Sequence, residues 1–275
     1  MKILVTGGNG FLGSEVCRVA AEMGHEVTSI SRSGRPQRNG SWVSRVNWIA
    51  ANVLDPETWR EHLQGIDAVI HAIGILREHS ENGLTYERLN GDSTEMVAWE
   101  AEHAGVPRFV YISSYGKPPF LPQRFIDSKR RAEAALRGRN IRESILRPAL
   151  IYGDTRPSTS IGASTLQTLS HVPGLKHSIH RYRPLHVTQV ALAAVRAATE
   201  EGYEGTINID NIEYLAGDQW KTFLEPRQQN RYLKPVLIGG VVVAAAALTL
   251  PLVRSRTVRK PSANAFNRLL GKNHR

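Results

Sequence analysis

Cysteine is nearly missing: the 275-residue chain carries one, Cys17. An internal disulfide is therefore excluded, and the fold must rest on burial, for which a chain of this length suffices. Cys17 stands among Val16, Val19 and Ala20 and reads as a packed core thiol, compatible with a reducing compartment. Acidic residues are absent from Pro226 to Arg275, where ten lysines and arginines account for the whole formal surplus of +10. Residues 1–225 are then formally neutral. The basic pI belongs to the tail, and no nucleic-acid partner is expected for the body. GxSxG and HExxH are both lacking, which removes the common hydrolase elbow and the zinc-protease helix. No cysteine or carboxylate is spaced against His177, His180 and His186 as a ligand set, so no metal site is expected. No repeat or low-complexity segment precedes residue 225. With an apolar run opening the chain, no signal or transit peptide is expected ahead of it.

What is present organises itself around the first thirteen residues, MKILVTGGNGFLG. An apolar run, Ile3-Leu4-Val5, meets a glycine cluster and then an amphipathic stretch from Phe11 to Met23. Strand, tight turn and helix in that order open a dinucleotide-binding fold. The glycines admit two registers, Gly8-x-Gly10-x-x-Gly13 and Gly7-x-x-Gly10-x-x-Gly13. Either serves the same need: a sharp turn with no Cβ between backbone and pyrophosphate. The N–H groups of Phe11 and Leu12 would then face the anion with the helix dipole behind them.

Further strands are expected at Glu26–Ser31, Val46–Ala51, Ala68–Ile73, Arg108–Ser113 and Ser144–Tyr152, with a short one at Gly205–Ile209. The run AVIHAI is apolar throughout, as a parallel strand covered on both faces should be. Helices are expected after Asp55-Pro56 (Asp as N-cap, Pro at the first position), over Leu84–Ala104, over Arg124–Leu136 and over Val187–Glu200. Alternation of this kind predicts an α/β fold with a doubly wound parallel sheet. The pattern weakens from Gly153 to Arg183, a small substrate-like region, with Thr155–Ile161 as loop. Two parts are expected: a dinucleotide domain over residues 1–225 and a tail over 226–275. In the tail, Pro235–Val253 is apolar apart from Thr249 and long enough to cross a bilayer of about 30 Å at about 1.5 Å per residue. Basic residues flank it on both sides, three before and seven after, which conflicts with a simple single span. Membrane association and a helix packed on protein both stay open.

An acidic residue closing the second strand would accept from the ribose 2′-hydroxyl of NAD. Here Ser31-Arg32-Ser33 stands instead, with no carboxylate between Val27 and Ser41. Arg32 matches a 2′-phosphate, so NADP(H) is expected over NAD(H).

TGGNGFLG, HAIG, FVYISS, a lysine on the next helix and LRPALIYG, in this order, resemble the extended and atypical short-chain dehydrogenase/reductases over residues 1–215. SISRSG, HAIGIL and SKRRAE are similar to the members attached to the mitochondrial ubiquinone-biosynthesis complex. The Rossmann-fold accessory subunits of respiratory complex I are the other subgroup resembled. The resemblance implies a catalytic Ser–Tyr–Lys set, in which Tyr moves the substrate proton and Lys lowers its pKa and holds the ribose. Ser114 and Lys129 fall on two of those positions. Four residues before Lys129, where the tyrosine belongs, stands Phe125, which has no proton to give. Tyr115, directly after Ser114, is the candidate for a displaced phenol, while His71 inside AVIHAI reads as a hydrogen-bonded core histidine. The resemblance also assigns Asn52 and Val53 to the adenine, Ala72 and Ile73 to the pyrophosphate or ribose, and Pro148 to the nicotinamide side. It implies an accessory protein with NADP(H) bound and little turnover, partnered by subunits of a larger assembly at the matrix face of the inner mitochondrial membrane. A bacterial relative at the cytoplasmic membrane face fits too. The alternatives are an active oxidoreductase or epimerase on a quinone or isoprenoid substrate, and an NADP(H)-sensing regulator.

Overall fold

In the computed structural model the chain divides into two units, Met1–Leu233 and Lys234–Arg275. The structure describes residues 1–37, 40–116, 121–153 and 182–224, all in the first unit. The expected loop at Thr155–Ile161, His177, His180 and the apolar run Pro235–Val253 lie outside the described residues. Among the described residues no helix is long and apolar enough to cross a membrane.

Strand β1 (Lys2–Thr6) forms where Ile3, Leu4 and Val5 are each fully buried, worth about 1.5–3 kcal/mol apiece. It pairs in parallel with β2 (Glu26–Ser31) on one side and β4 (Ala68–His71) on the other. With β3 (Val46–Ala50), β5 (Arg108–Ile112), β6 (Arg142–Leu146) and β9 (Gly205–Ile207) the sheet has seven strands in the order β3-β2-β1-β4-β5-β6-β9. The order reverses between β1 and β4, and ligands of such sheets bind outside the carboxyl ends at that point.

Helices cover both faces, as a parallel sheet requires. On one face, α1 (Phe11–Glu22), α4 (Val187–Thr199) and α5 (Ile209–Ala216) bury Ile3, Val5, Ile70, Val110 and Ile112. Helix α4 is rich in fully buried alanine (Ala191, Ala193, Ala194, Ala198), which lets it approach closely. Thr188 at its start bonds Glu15 of α1, 173 residues away. On the other face, α2 (Ser93–His103) and α3 (Gln123–Arg137) cover Leu4, Val69, Phe109, Tyr111 and Ile145. The alternation of 109 and 111 against 110 and 112 is the two-residue period of a strand.

Three expectations are corrected. Ser144–Tyr152 is not one strand: β6 ends at Leu146, and β7 (Ile151–Tyr152) pairs with β8 (Leu185–His186) in a separate two-stranded sheet. Pro148 lacks an N–H for the ladder, so the run breaks there. Leu84–Ala104 is not one α-helix: Glu87–Asp92 is a π-helical turn that leads into α2. Asp55-Pro56 opens 3-10 turns at Pro56–Thr58 and Arg60–Leu63 in place of an α-helix, and the Asp55 side chain makes no cap bond.

Candidate functional site

The turn after β1 takes the Gly7-x-x-Gly10-x-x-Gly13 register. Gly7 has φ +80°, a conformation glycine adopts freely, and donates its N–H to Ile30 O at 2.8 Å. Gly10 N closes the turn on Gly7 O at 2.8 Å. A Cβ on Gly13 would lie 2.2 Å from Gly7 O, so the helix can seat on the turn only with glycine there. Gly8 is packed too tightly to face a ligand, its Cβ position being 2.0 Å from Ser29 Oγ. Gly10 differs. It is exposed, and a Cβ there would meet only Gly7 O, at 3.0 Å, within 4 Å. Space over Gly10 is therefore open at the start of α1, where Leu12 is buried beneath and Phe11 half-buried. The space would admit a pyrophosphate, and the residues present fit a dinucleotide. Behind it Cys17 is buried, its thiol pushed up to about 12 by loss of solvent.

The exits of the neighbouring strands close around this cradle. Asn9 Nδ2 donates to Ser33 Oγ at 2.6 Å, drawing the turn toward the end of β2, where Ser31 is half-buried and Arg32 exposed. After β3, Asn52 is exposed while Val53 is 5% exposed within the core, so of these two only Asn52 offers a side chain. After β4, Ala72 and Ile73 lie half-buried, Ile73 against Gly7.

Beneath this lies His71, fully buried. Its Nδ1 is 2.8 Å from Thr6 Oγ1 and its Nε2 3.3 Å from Ser93 Oγ, so it joins β1, β4 and α2. Burial, helped by the Lys129 charge, pulls its pKa down to about 3. Since the unfolded imidazole takes its proton near 6.5, stability should rise with pH from about 3 to 6.5, by up to about 1.4 kcal/mol per unit. His71→Leu should lose about 1–3 kcal/mol at pH 8 by stranding the buried Thr6 hydroxyl, the Ser93 hydroxyl keeping its bond to Leu89 O at 2.8 Å. It should also lack that acid slope, which urea unfolding at pH 5 and pH 8 measures.

Lys129, on α3, is 5% exposed. Its Nζ donates to Ile112 O at 2.9 Å and stands 4.9 Å from the centre of the Tyr111 ring. Burial lowers its pKa to about 7, against an upward pull from Glu133. A Cβ on Gly74 would come within 3.1 Å of this amine and 3.0 Å of Asn90 Oδ1, so glycine lets both reach the β4 exit. Ser114 is buried at the end of β5, and Tyr115 beside it donates its N–H to the carbonyl of buried Pro148 at 2.9 Å. The Tyr115 ring meets Tyr182 edge-on at 5.6 Å. Phe125, at the tyrosine position, is 3% exposed and packs edge-on against Tyr86 at 5.5 Å. Tyr86 in turn spends its hydroxyl on Leu76 O at 2.9 Å.

The structure adds two residues that motif reading passes over. Asn90, fully buried, accepts from Ile75 N at 3.0 Å and donates to Ser128 Oγ at 3.3 Å, tying the β4 exit to α3. Its carbonyl, within the π-helical turn, accepts from the Tyr111 hydroxyl at 3.1 Å and from the Thr94 hydroxyl at 3.0 Å. Such turns gather at functional sites, but nothing in LNGDST announces one. The second is Glu133, a buried carboxylate on which Arg130, Arg137 and Arg147 converge. Its only signal was four-residue spacing from Lys129. Among the described residues no group of His, Cys, Asp and Glu is placed to hold a metal.

Comparisons with known proteins bear on the family and the fold. Residues 3–210 match the model of the NAD dependent epimerase/dehydratase family. An uncharacterized chloroplastic protein of Arabidopsis thaliana is 32% identical over 78% of this chain and 77% of its own length. MIOREX complex component 2 of Saccharomyces cerevisiae is 30% identical over 56% of this chain and 74% of its own. The mitochondrial NADH dehydrogenase [ubiquinone] 1 alpha subcomplex subunit 9 of Arabidopsis thaliana is 25% identical over 72% of this chain and 50% of its own. Among solved structures, UDP-glucuronic acid 4-epimerase from Bacillus cereus in complex with NAD superposes with a TM-score of 0.56 at 20% identity, covering 76% of this chain and 77% of that one. That likeness shows the fold alone. Relatives named as complex components and organellar proteins thus accompany a dinucleotide fold whose glycine turn is whole. The chain belongs to the NAD dependent epimerase/dehydratase family.

Proposed function

We propose that this protein holds NADP(H) as a bound ligand within a membrane-associated mitochondrial assembly, of ubiquinone biosynthesis or of respiratory complex I, with little or no turnover. One observation carries the reading: an open cradle over Gly10 and a buried Lys129 stand beside Phe125, a ring with no proton to donate. When bound, the nicotinamide would supply a hydride donor or acceptor. On the protein side, Gly7, Gly10, Phe11, Leu12 and Gly13 take the pyrophosphate, Ser31 and Arg32 the 2′-phosphate, and Asn52 and Val53 border the adenine. Ala72, Ile73 and Lys129 hold the ribose, and Pro148 lines the nicotinamide side. Ser114 and Lys129 keep their positions without the phenol that would join them into a proton path. The mitochondrial relative named as a complex I subunit and the yeast complex component support the assembly role. The matrix side of the inner membrane follows as the site of action.

The test uses the full chain. NADPH and NADH are titrated by fluorescence, and NADPH absorbance is then followed with quinones and ketones. NADPH should bind at least tenfold tighter than NADH, about 1.4 kcal/mol, and should stay unoxidised. Arg32→Ala should abolish the preference. Failure to bind either coenzyme overturns the reading.

A second reading, an oxidoreductase or epimerase acting on a hydrophobic quinone or isoprenoid, draws on Tyr115. Tyr115 follows Ser114 directly at the exit of β5, its ring edge-on to Tyr182. NADPH oxidation that disappears in Tyr115→Phe would establish it, whereas activity appearing only in Phe125→Tyr would trace inertness to the missing hydroxyl.

A further inference from the structure

Glu133 lies one helical turn beyond Lys129, and it is 0% exposed. An uncompensated carboxylate at such a depth costs several kcal/mol, so its surroundings must supply charge and donors. They do so from three elements. From α3 itself come Arg130 and, at 3.5 Å, Arg137. From the exit of β5, Ser113 Oγ donates at 2.5 Å. From the exit of β6, Arg147 binds both carboxylate oxygens, its Nε at 2.9 Å. Burial alone would raise the Glu133 pKa, yet the bonds from Arg147 and Ser113 and the charges of Arg130 and Arg147 hold it below the usual range. The network continues into the pocket. Arg130 Nη2 donates to Ser114 O at 3.0 Å, and Lys129 Nζ donates to Ile112 O, so α3 grips consecutive stretches of the β5 exit with neighbouring residues.

We propose that Glu133 is a positioning residue of the coenzyme pocket, clamping α3 to the exits of β5 and β6 and holding the Lys129 amine in place as a cation. The inference rests on the coenzyme reading above and deepens it. The charged and titratable groups facing this pair are Arg130 and Arg137 on α3, Arg147 after β6, Tyr111 on β5 and His71 on β4. All of these are cationic or neutral. With the Glu133 carboxylate removed, no anion among these groups offsets the loss of solvent around the Lys129 amine.

The clamp has a signature that plain structural support lacks. In Glu133→Gln the amine should surrender its proton at lower pH, so coenzyme affinity should fall about threefold or more at pH 8 but under about twofold at pH 6. A merely structural residue would lower affinity equally at both. The amine itself is read by lysine-selective nitrogen NMR of the full chain without coenzyme, where its titration midpoint should drop by half a unit or more. That measurement decides the inference even if the wild-type chain binds no NADPH, the result that overturns the coenzyme reading. Should Glu133→Gln fail to fold, Glu133→Gln with Arg147→Gln removes the most buried of the ion pairs whole, while Arg130 and Arg137, part-exposed, stay solvated. A smaller downward shift is then expected, because a cation leaves with the carboxylate. An unchanged midpoint in whichever variant folds, or an affinity loss independent of pH, overturns the proposal.

Discussion

Lys129→Met should make the protein more stable and its coenzyme pocket worse. Lys129 is folded with a pKa of about 7 and unfolds toward 10.5. Between those values the unfolded chain holds a proton that the native chain has released, so native stability rises with pH across that window. Below about pH 6 the amine is charged in both states, and the cost of burying it is felt in full. Methionine removes the cost and fills a similar volume. Exchange of buried charge for apolar packing gains about 1–4 kcal/mol in other proteins. The bond to Ile112 O and the Tyr111 ring contact, both lost, keep the gain from being larger. Urea unfolding at pH 6 and pH 9 checks this: the gain should be greatest at pH 6 and shrink toward pH 9. Relief from the neighbouring charge should also raise the His71 pKa and soften the acid limb. Coenzyme affinity should fall at least tenfold, about 1.4 kcal/mol. A variant less stable than wild type at both pH values would mean that the amine is a structural bond and nothing more.

Two alanines in the glycine turn should separate folding from binding. In Gly13→Ala the new methyl would stand 2.2 Å from Gly7 O and 2.7 Å from Gly7 C, both backbone. Neither can retreat without opening the turn or lifting α1 off β1. Overpacking against movable side chains costs about 1–3 kcal/mol, and against backbone the loss should be about 3 kcal/mol or more. Gly10→Ala meets one atom, at 3.0 Å, with φ at −77°, a conformation alanine accepts. Its stability should change by no more than about 1 kcal/mol. Its methyl, however, occupies the approach a pyrophosphate must use, so NADPH binding should fall about a hundredfold or more, about 2.7 kcal/mol. Thermal unfolding paired with coenzyme titration reads both. If Gly10→Ala folds and binds like wild type, the cradle over Gly10 is not the phosphate site.

How much of this was legible in the chain depends on whether a residue's reason is local. The glycine turn is, because Gly7 and Gly13 are required by atoms a few bonds away, and the buried run Ile3–Val5 announces a central strand. Phe125 is legible for a similar reason, since its position is counted from Lys129. Asn90 and Glu133 are not. Their partners come from β4, β5, β6 and α3, and a charged residue on an amphipathic helix looks solvated until the strand exit that brings Arg147 is known. The broken run SILRPALIY misled for the opposite reason: its apolar pattern continues past Pro148, where its hydrogen-bonding pattern does not.

The covering of β1 carries a cost in time. Its sheet neighbour β4 ends at His71, but α4, which shares a face of the sheet with α1, begins only at Val187. While the chain emerges from the ribosome, the greasy side of the first unit has α1 alone to cover it for more than a hundred residues of synthesis. Contacts so distant in sequence form late and leave the newborn chain open to aggregation. Chaperone demand should therefore peak in the interval before α4 is made, and truncations ending ahead of it should precipitate even though the whole glycine turn is present.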